Sequence, residues 1–173
     1  MARNLHQTPE VSVLVPVMNE QGNIRPLIDE IAAVYNGRAF EIIYVNDASN
    51  DGTAADLTAA QKDVQELRVI HHQDRSGQSA AVRTALLASR APLIAVLDGD
   101  GQNIPADLPA LEAAFDNLGQ GHGLGQLVIG GVAIHLFTHL QICIAPSKLI
   151  RRECWRCHGY FLPRLVLANR RLE

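Results

Sequence analysis

The sequence predicts an α/β domain with a parallel sheet flanked by helices. Four short aliphatic runs, "VSVLVPV" (11–17), "FEIIYVN" (40–46), "ELRVIHH" (66–72) and "PLIAVLD" (92–98), have the continuous hydrophobicity of strands covered on both faces. Helix-forming segments separate them. The polar residues that could do chemistry follow the strands' carboxyl ends. Strand, helix, strand repeated three times predicts parallel strands joined by right-handed crossovers.

Taken in order, the first strand ends in "MNEQG", and "NIRPLIDEIAAVY" (23–35) then puts Ile24, Leu27, Ile28, Ile31 and Val34 on one helical stripe. The second strand ends in "NDASNDG", and "TAADLTAAQKD" (53–63) is rich in strong helix formers. After the third strand and the loop "QDRSG", "GQSAAVRTALLAS" (77–89) offers Ala81, Ala85, Leu86 and Ala88 for packing. The fourth strand stops at "DGDGQN".

Composition narrows the function classes. With 173 residues, 47% hydrophobic and 19% charged, the chain is an ordinary globular domain, and a net charge of −3 argues against a nucleic-acid partner. The average conceals two unlike pieces. Residues 1–117 carry 16 acids against 8 Lys and Arg, whereas 118–173 carry 2 against 7, with all three cysteines and four of the seven histidines. No apolar run follows Met1 and the first 142 residues lack cysteine, so a cytoplasmic setting is expected.

In an open parallel sheet, ligands collect beyond the carboxyl ends of the strands, where the strand order reverses. Pro16, Asn19 and Glu20, then Asn46, Asp47, Ser49 and Asp51, then Asp98, Asp100 and Gln102 lie there. Asp47, Ser49, Asp51 and Thr53 also suit turns and helix caps. Asp98 and Asp100 are different, because two carboxylates separated by one glycine repel unless a cation lies between them. Calcium-loop spacing fails, since the sixth and twelfth positions from Asp98 hold Asn103 and Pro109. A dinucleotide-type glycine fingerprint is also absent after the first strand, which reads "PVMNEQGN". A metal-dependent phosphatase of the haloacid dehalogenase type, with Asp98 as nucleophile, remains a third reading.

The blocks "VSVLVPVMNEQGNI", "IIYVNDASNDGT", "HHQDRSGQSAAVRTAL" and "PLIAVLDGDGQNIPADLPAL", in this order, resemble family 2 glycosyltransferases. Within that family they look most like dolichol-phosphate mannosyltransferases and bacterial polyprenyl-phosphate glycosyltransferases, over about residues 10–117. The resemblance implies a GT-A fold, a Rossmann-like sheet forming the nucleotide-binding half, whose Asp-x-Asp motif holds a nucleotide-sugar diphosphate through Mg²⁺ or Mn²⁺. It implies that Pro16, Asn19 and Glu20 line the base and ribose pocket and that Asp47 accepts an imino N–H of uracil or guanine. Asp98 would sit near ribose and metal, with Asp100 and Gln102 as metal ligands; Asp98 and Asp100 would be the catalytic pair. Arg75, Ser76 and Gly77 would form a loop closing over the nucleotide. The implied reaction is hexose transfer, with inversion, from a GDP-mannose or UDP-glucose type of donor to a polyprenyl phosphate at the cytoplasmic face of a membrane.

The resemblance divides the chain into a GT-A-like domain, 1–117, and a divergent tail, 118–173. The tail lacks the family's Gly-x-Arg, so an alternative expectation is a catalytically incompetent nucleotide-binding remnant. Its origin stays open between a reading-frame slip, disorder and membrane association. Leu127 to Ala145 contains no Asp, Glu, Lys or Arg and is barely long enough for a bilayer helix. His135, His139, Cys154 and Cys157 have spacings compatible with zinc, and "CWRCH" with haem attachment. Without the later strands, one edge of the sheet would stay uncovered.

Overall fold

A computed structural model of the chain describes residues 8–119, 127–129, 132–134 and 147–151, with side chains described up to residue 113. Strands β1 (Val11–Val17), β2 (Phe40–Asn46), β3 (Leu67–His71) and β4 (Leu93–Leu97) alternate with helices α1 (Ile24–Val34), α2 (Thr53–Asp63) and α3 (Gln78–Ala88). A single 3-10 turn, Pro105–Asp107, leads into α4 (Leu108–Gly119), which the strand-and-helix reading of the sequence had not placed. Short strands β5 (Leu127–Ile129), β6 (Val132–Ile134) and β7 (Ser147–Arg151) follow.

The sheet runs β3-β2-β1-β4-β7-β5-β6. Its first four strands are parallel, as the sequence predicts, and β7 adds antiparallel to β4 from Leu93↔Arg151 to Leu97↔Ser147. The expected open edge at β4 is therefore covered by a segment of the second piece of the chain. Residues 127–129 and 132–134 are strands that pair with each other, so the uncharged stretch from Leu127 is not one continuous membrane-spanning helix. Among the described residues, no helix is long and apolar enough to cross a membrane. His135, His139, Cys154 and Cys157 lie outside the described residues.

Alternation sorts the core into two faces, because successive strand residues point to opposite sides. Val11, Val13, Val15 and Val17 of β1, with Phe40, Ile42 and Tyr44 of β2 and Ala95 and Leu97 of β4, pack with α1, α2 and the start of α4. Leu14, Ile43, Val45, Ile94 and Val96 face α3. The stripe expected for α1 is buried at Ile24, Leu27, Ile28 and Ile31, and Pro26 falls in the first turn, where its missing N–H costs no helical bond. Helix α3 buries Ala81, Val82 and Ala85, small residues that let it lie close to the sheet.

One polar cluster crosses this core at the amino edge of the sheet. Register puts Ser12 beside Glu41, and the Ser12 hydroxyl donates to Glu41 Oε1 at 2.6 Å. The Arg90 backbone N–H donates to the same oxygen at 2.7 Å, while Arg68 Nη1 and Arg90 Nε donate to Oε2 at 2.8 and 3.0 Å. Glu41 is 1% exposed. Fully paired in this way, it fastens the α3–β4 connection to the sheet.

Candidate functional site

The strand order reverses between β1 and β4, and the pairing there is unequal. β1 stays with β2 through Val17↔Asn46, but it stays with β4 only as far as Leu14↔Val96. Beyond that point the ladder ends, at the switch point where an open parallel sheet forms its binding crevice. Pro16 lies past the end of the β4 ladder, so a strand that is central elsewhere tolerates a residue without an N–H here.

Gly99, between the two aspartates, packs on the end of β1. A Cβ at this position would collide with Val17 Cγ1 and would approach the Pro16 carbonyl oxygen at 3.3 Å. The glycine seats the loop against the crevice wall, with Asp98 half-buried and Asp100 exposed. Gln78 Nε2, at the start of α3, donates to Asp98 Oδ1 at 2.7 Å. Asp100 Oδ1 accepts from the Gln102 backbone N–H at 3.0 Å, an Asx-type turn that holds its carboxylate near the Gln102 side chain's own loop. Gln102 itself is exposed.

The loops after β1 and β2 are stitched together. Asn19, in the left-handed region at φ 60°, donates its N–H to Ser49 Oγ at 2.9 Å and accepts from the Asn50 N–H at 2.9 Å through Oδ1. The Glu20 N–H donates to Thr53 Oγ1, and Glu20 Oε2 accepts from Asn23 Nδ2, both at 2.9 Å. Asp51 accepts from the N–H groups of Thr53 and Gln21, a turn that leads into α2, whose N-cap is Gly52. Ala48 sits at φ 55°, a conformation costly for a side chain with a Cβ and held by these surrounding bonds.

Asp47 is the most constrained acid of the site, at 3% exposure. His72 Nδ1 lies 2.7 Å and the Ser76 N–H nitrogen 2.8 Å from Oδ1, and the Gly77 N–H donates to Oδ2 at 2.6 Å. Burial alone would raise its pKa; the hydrogen bonds from His72, Ser76 and Gly77 outweigh that and hold the carboxyl below the usual aspartate range. Gly77 makes its contact at φ 89°, which a residue with a Cβ would adopt only under strain. Among the described residues, Oδ2 accepts this one hydrogen bond. Arg75, in the same loop, is exposed and has no hydrogen bond or ion pair among the described residues.

The first turn of α3 thus touches two of the acids, Asp47 through Gly77 and Asp98 through Gln78. Neither Gln78 nor the ring of His72 stood out in the sequence. The only available signal was position, since each lies at the carboxyl edge of the sheet within a few residues of a strand or helix end.

The family model described as "Glycosyl transferase family 2" matches residues 12–162. The chain belongs to glycosyltransferase family 2. The match extends past the four sequence blocks into the second piece of the chain. Over 116 residues it is 38% identical to the dodecaprenyl-phosphate galacturonate synthase of Rhizobium johnstonii, covering 64% of this chain and 33% of that protein. Over 129 residues it is 30% identical to the dolichol-phosphate mannosyltransferase of Mycosarcoma maydis, covering 68% of this chain and 44% of that one. The chain therefore spans about a third to under a half of these relatives' length. Among solved structures, a mannosyltransferase of Pyrobaculum calidifontis in complex with GDP-Man and Mn²⁺ superposes with a TM-score of 0.65 at 19% identity, covering 90% of this chain and 48% of that one. The family 2 chain has the GT-A glycosyltransferase fold.

Proposed function

We propose that this family 2 chain binds a nucleotide-sugar across the β1/β4 crevice and serves hexose transfer from a GDP- or UDP-sugar to a polyprenyl phosphate. The observation that carries the reading is the Asp98-Gly99-Asp100 loop seated on Val17 where the two strands part. The donor atoms there, two carboxylates and the Gln102 carboxamide, are all oxygens and suit Mg²⁺ or Mn²⁺. Among the described residues, no three His, Cys, Asp or Glu side chains gather as a complete cage. That fits a small hard cation that takes one or two carboxylates from protein and the rest from diphosphate and water. When bound, such an ion supplies Lewis-acid stabilisation of the charge developing on the departing diphosphate.

The chain's own residues do the remainder. Asp98 and Asp100 fix the diphosphate end, and Pro16, Asn19 and Glu20 flank the base and ribose. Asp47 Oδ2 accepts the imino N–H that guanine and uracil share and adenine lacks. Arg75 stands free to reach a phosphate over the Ser76–Gly77 loop. An acceptor phosphate oxygen then forms the new bond to the anomeric carbon as the bond from that carbon to the diphosphate breaks, and the electron pair leaves with the nucleoside diphosphate. An acceptor that is already anionic needs no strong general base. A lipid acceptor implies a membrane surface, and the side proposed is the cytoplasmic face.

Calorimetry with GDP and UDP, with Mn²⁺ and with EDTA, tests the reading. Binding should require the metal, and Asp100→Ala should weaken it at least tenfold, about 1.4 kcal/mol. Unchanged affinity in EDTA would overturn it. Incubation with GDP-mannose or UDP-glucose and polyprenyl phosphate tests transfer; release of inorganic phosphate from a simple phosphomonoester would favour the phosphatase reading instead.

A further inference from the structure

We propose that His72 is a positioning residue for nucleobase recognition, aiming the Asp47 carboxylate by bridging it to Thr84 of α3. This rests on the reading of Asp47 as the base acceptor. The imidazole ring lies between two fixed partners, with Nδ1 2.7 Å from Asp47 Oδ1 and Nε2 2.9 Å from Thr84 Oγ1. The His72 backbone is held as well, its N–H donating to the Asn46 carbonyl at 2.9 Å. Both side chains of the acid–imidazole pair are largely removed from solvent, at 14% and 5% exposure.

The chemistry of the partners fixes the direction of each bond. An ionised carboxylate can only accept, so Nδ1 must carry the proton. In the neutral ring Nε2 is then the acceptor, and the Thr84 hydroxyl must donate to it. The two backbone donors, Ser76 and the α3 N-cap Gly77, reach Asp47 from the start of α3, whereas His72 ties it to the body of that helix, which packs on the sheet. With Oδ1 occupied by His72 and Ser76, the orientation of the remaining Oδ2 acceptor is set. The ring therefore determines where an imino N–H must lie to be recognised, without touching the base.

Two variants separate this role from simple packing. The amide nitrogen of asparagine lies as many bonds from Cα as Nδ1, and that of glutamine as many as Nε2. His72→Asn keeps a donor for Asp47, and His72→Gln moves it to the Thr84 side. By calorimetry with Mn²⁺, His72→Gln should lose about tenfold in GDP and UDP affinity, the worth of one charge-assisted hydrogen bond, while ADP affinity changes little. His72→Asn should restore binding to within about threefold of the unaltered chain. Equal losses in the two variants, or an equal loss for ADP, would overturn the assignment. Unchanged GDP and UDP affinity in Asp47→Asn would show instead that the base-acceptor reading has failed and has taken the inference with it. The unaltered chain gives a readout that does not depend on a variant folding: the ring ¹⁵N shifts of His72 should report a protonated Nδ1, and a bare Nδ1 would overturn the proposal.

Discussion

Replacing Glu41 by glutamine should destabilise the protein by about 2–3 kcal/mol and leave the nucleotide site untouched. The carboxylate is 1% exposed and accepts four hydrogen bonds, two on each oxygen. A glutamine of the same shape must put its amide nitrogen on one of the two sides. On the Oε2 side it meets two guanidinium groups, which have nothing to accept with. On the Oε1 side it meets the Arg90 backbone N–H, which likewise cannot accept. Either way a buried donor faces a donor. Breaking a buried ion pair costs about 3–5 kcal/mol. Here the Arg68 and Arg90 side chains are 38% and 59% exposed and recover hydration, which discounts the figure to about 2–3.

The assay is urea unfolding, read as a fall in midpoint at constant slope. Acid titration supplies an independent check. Burial alone would raise the Glu41 pKa, but the bonds from Ser12, Arg68 and Arg90 outweigh it and the folded value lies below the ordinary one. The stabilisation is therefore fully present above about pH 4.3, the ordinary glutamate range, and is lost as pH falls through the lower folded value. Glu41→Gln should flatten that part of the acid limb. A variant with the same urea midpoint and the same acid limb would refute the reasoning.

Gly99→Ala should cost about 1–3 kcal/mol by overpacking against Val17 and should weaken Mn²⁺-dependent GDP binding; the double variant with Val17→Ala should recover most of the binding, as calorimetry would report. Ala48→Gly should raise stability by up to about 1 kcal/mol, because relief of the left-handed φ exceeds the added freedom of the unfolded chain, and a fall in urea midpoint would contradict it. Tyr35→Phe removes the 2.6 Å hydrogen bond from the fully buried Tyr35 hydroxyl to Glu112 of α4, for a loss of about 1–2 kcal/mol in thermal or urea unfolding.

Much of the sheet was legible because strands buried on both faces leave uninterrupted aliphatic runs. β1 and β2 have the expected bounds, and β3 and β4 lose only their terminal residues to the loops. The placement of the candidate residues at the carboxyl edge was legible: the acids follow strands, and strand ends converge. What the sequence conceals is partnership. Glu41 reads as an interruption in "FEIIYVN" until register brings Ser12 beside it and α3 delivers Arg90. His72 reads as the end of a strand until Thr84, twelve residues on, meets its other nitrogen. The antiparallel cover on β4 was missed for a related reason, since Ser147–Arg151 is short and basic and becomes a strand through its partner.

The two edges of the sheet use carboxylates in opposite ways, and strand pairing explains why. Near Ser12 and Leu93, β1 holds register with β4 on one side and β2 on the other, so neighbouring segments supply donors for both oxygens of Glu41. Past Leu14 and Val96 β1 and β4 are no longer paired, and the acids there lie in loops rather than in the ladder. Among the described residues, Asp47 Oδ2 accepts one hydrogen bond and Asp100 accepts from a single N–H through Oδ1. In the proposed function a cation supplies positive charge to Asp100, and a nucleobase imino N–H supplies a donor to Asp47. Stability and binding should consequently separate by edge. Glu41→Gln should move the urea midpoint with GDP affinity unchanged, and Asp100→Ala should weaken GDP at least tenfold with the unfolding free energy within about 0.5 kcal/mol of its original value, since Asp100 is an exposed residue. If Asp100→Ala lowered stability as much as Glu41→Gln, Asp100 would be a structural acceptor and the division between the edges would fail.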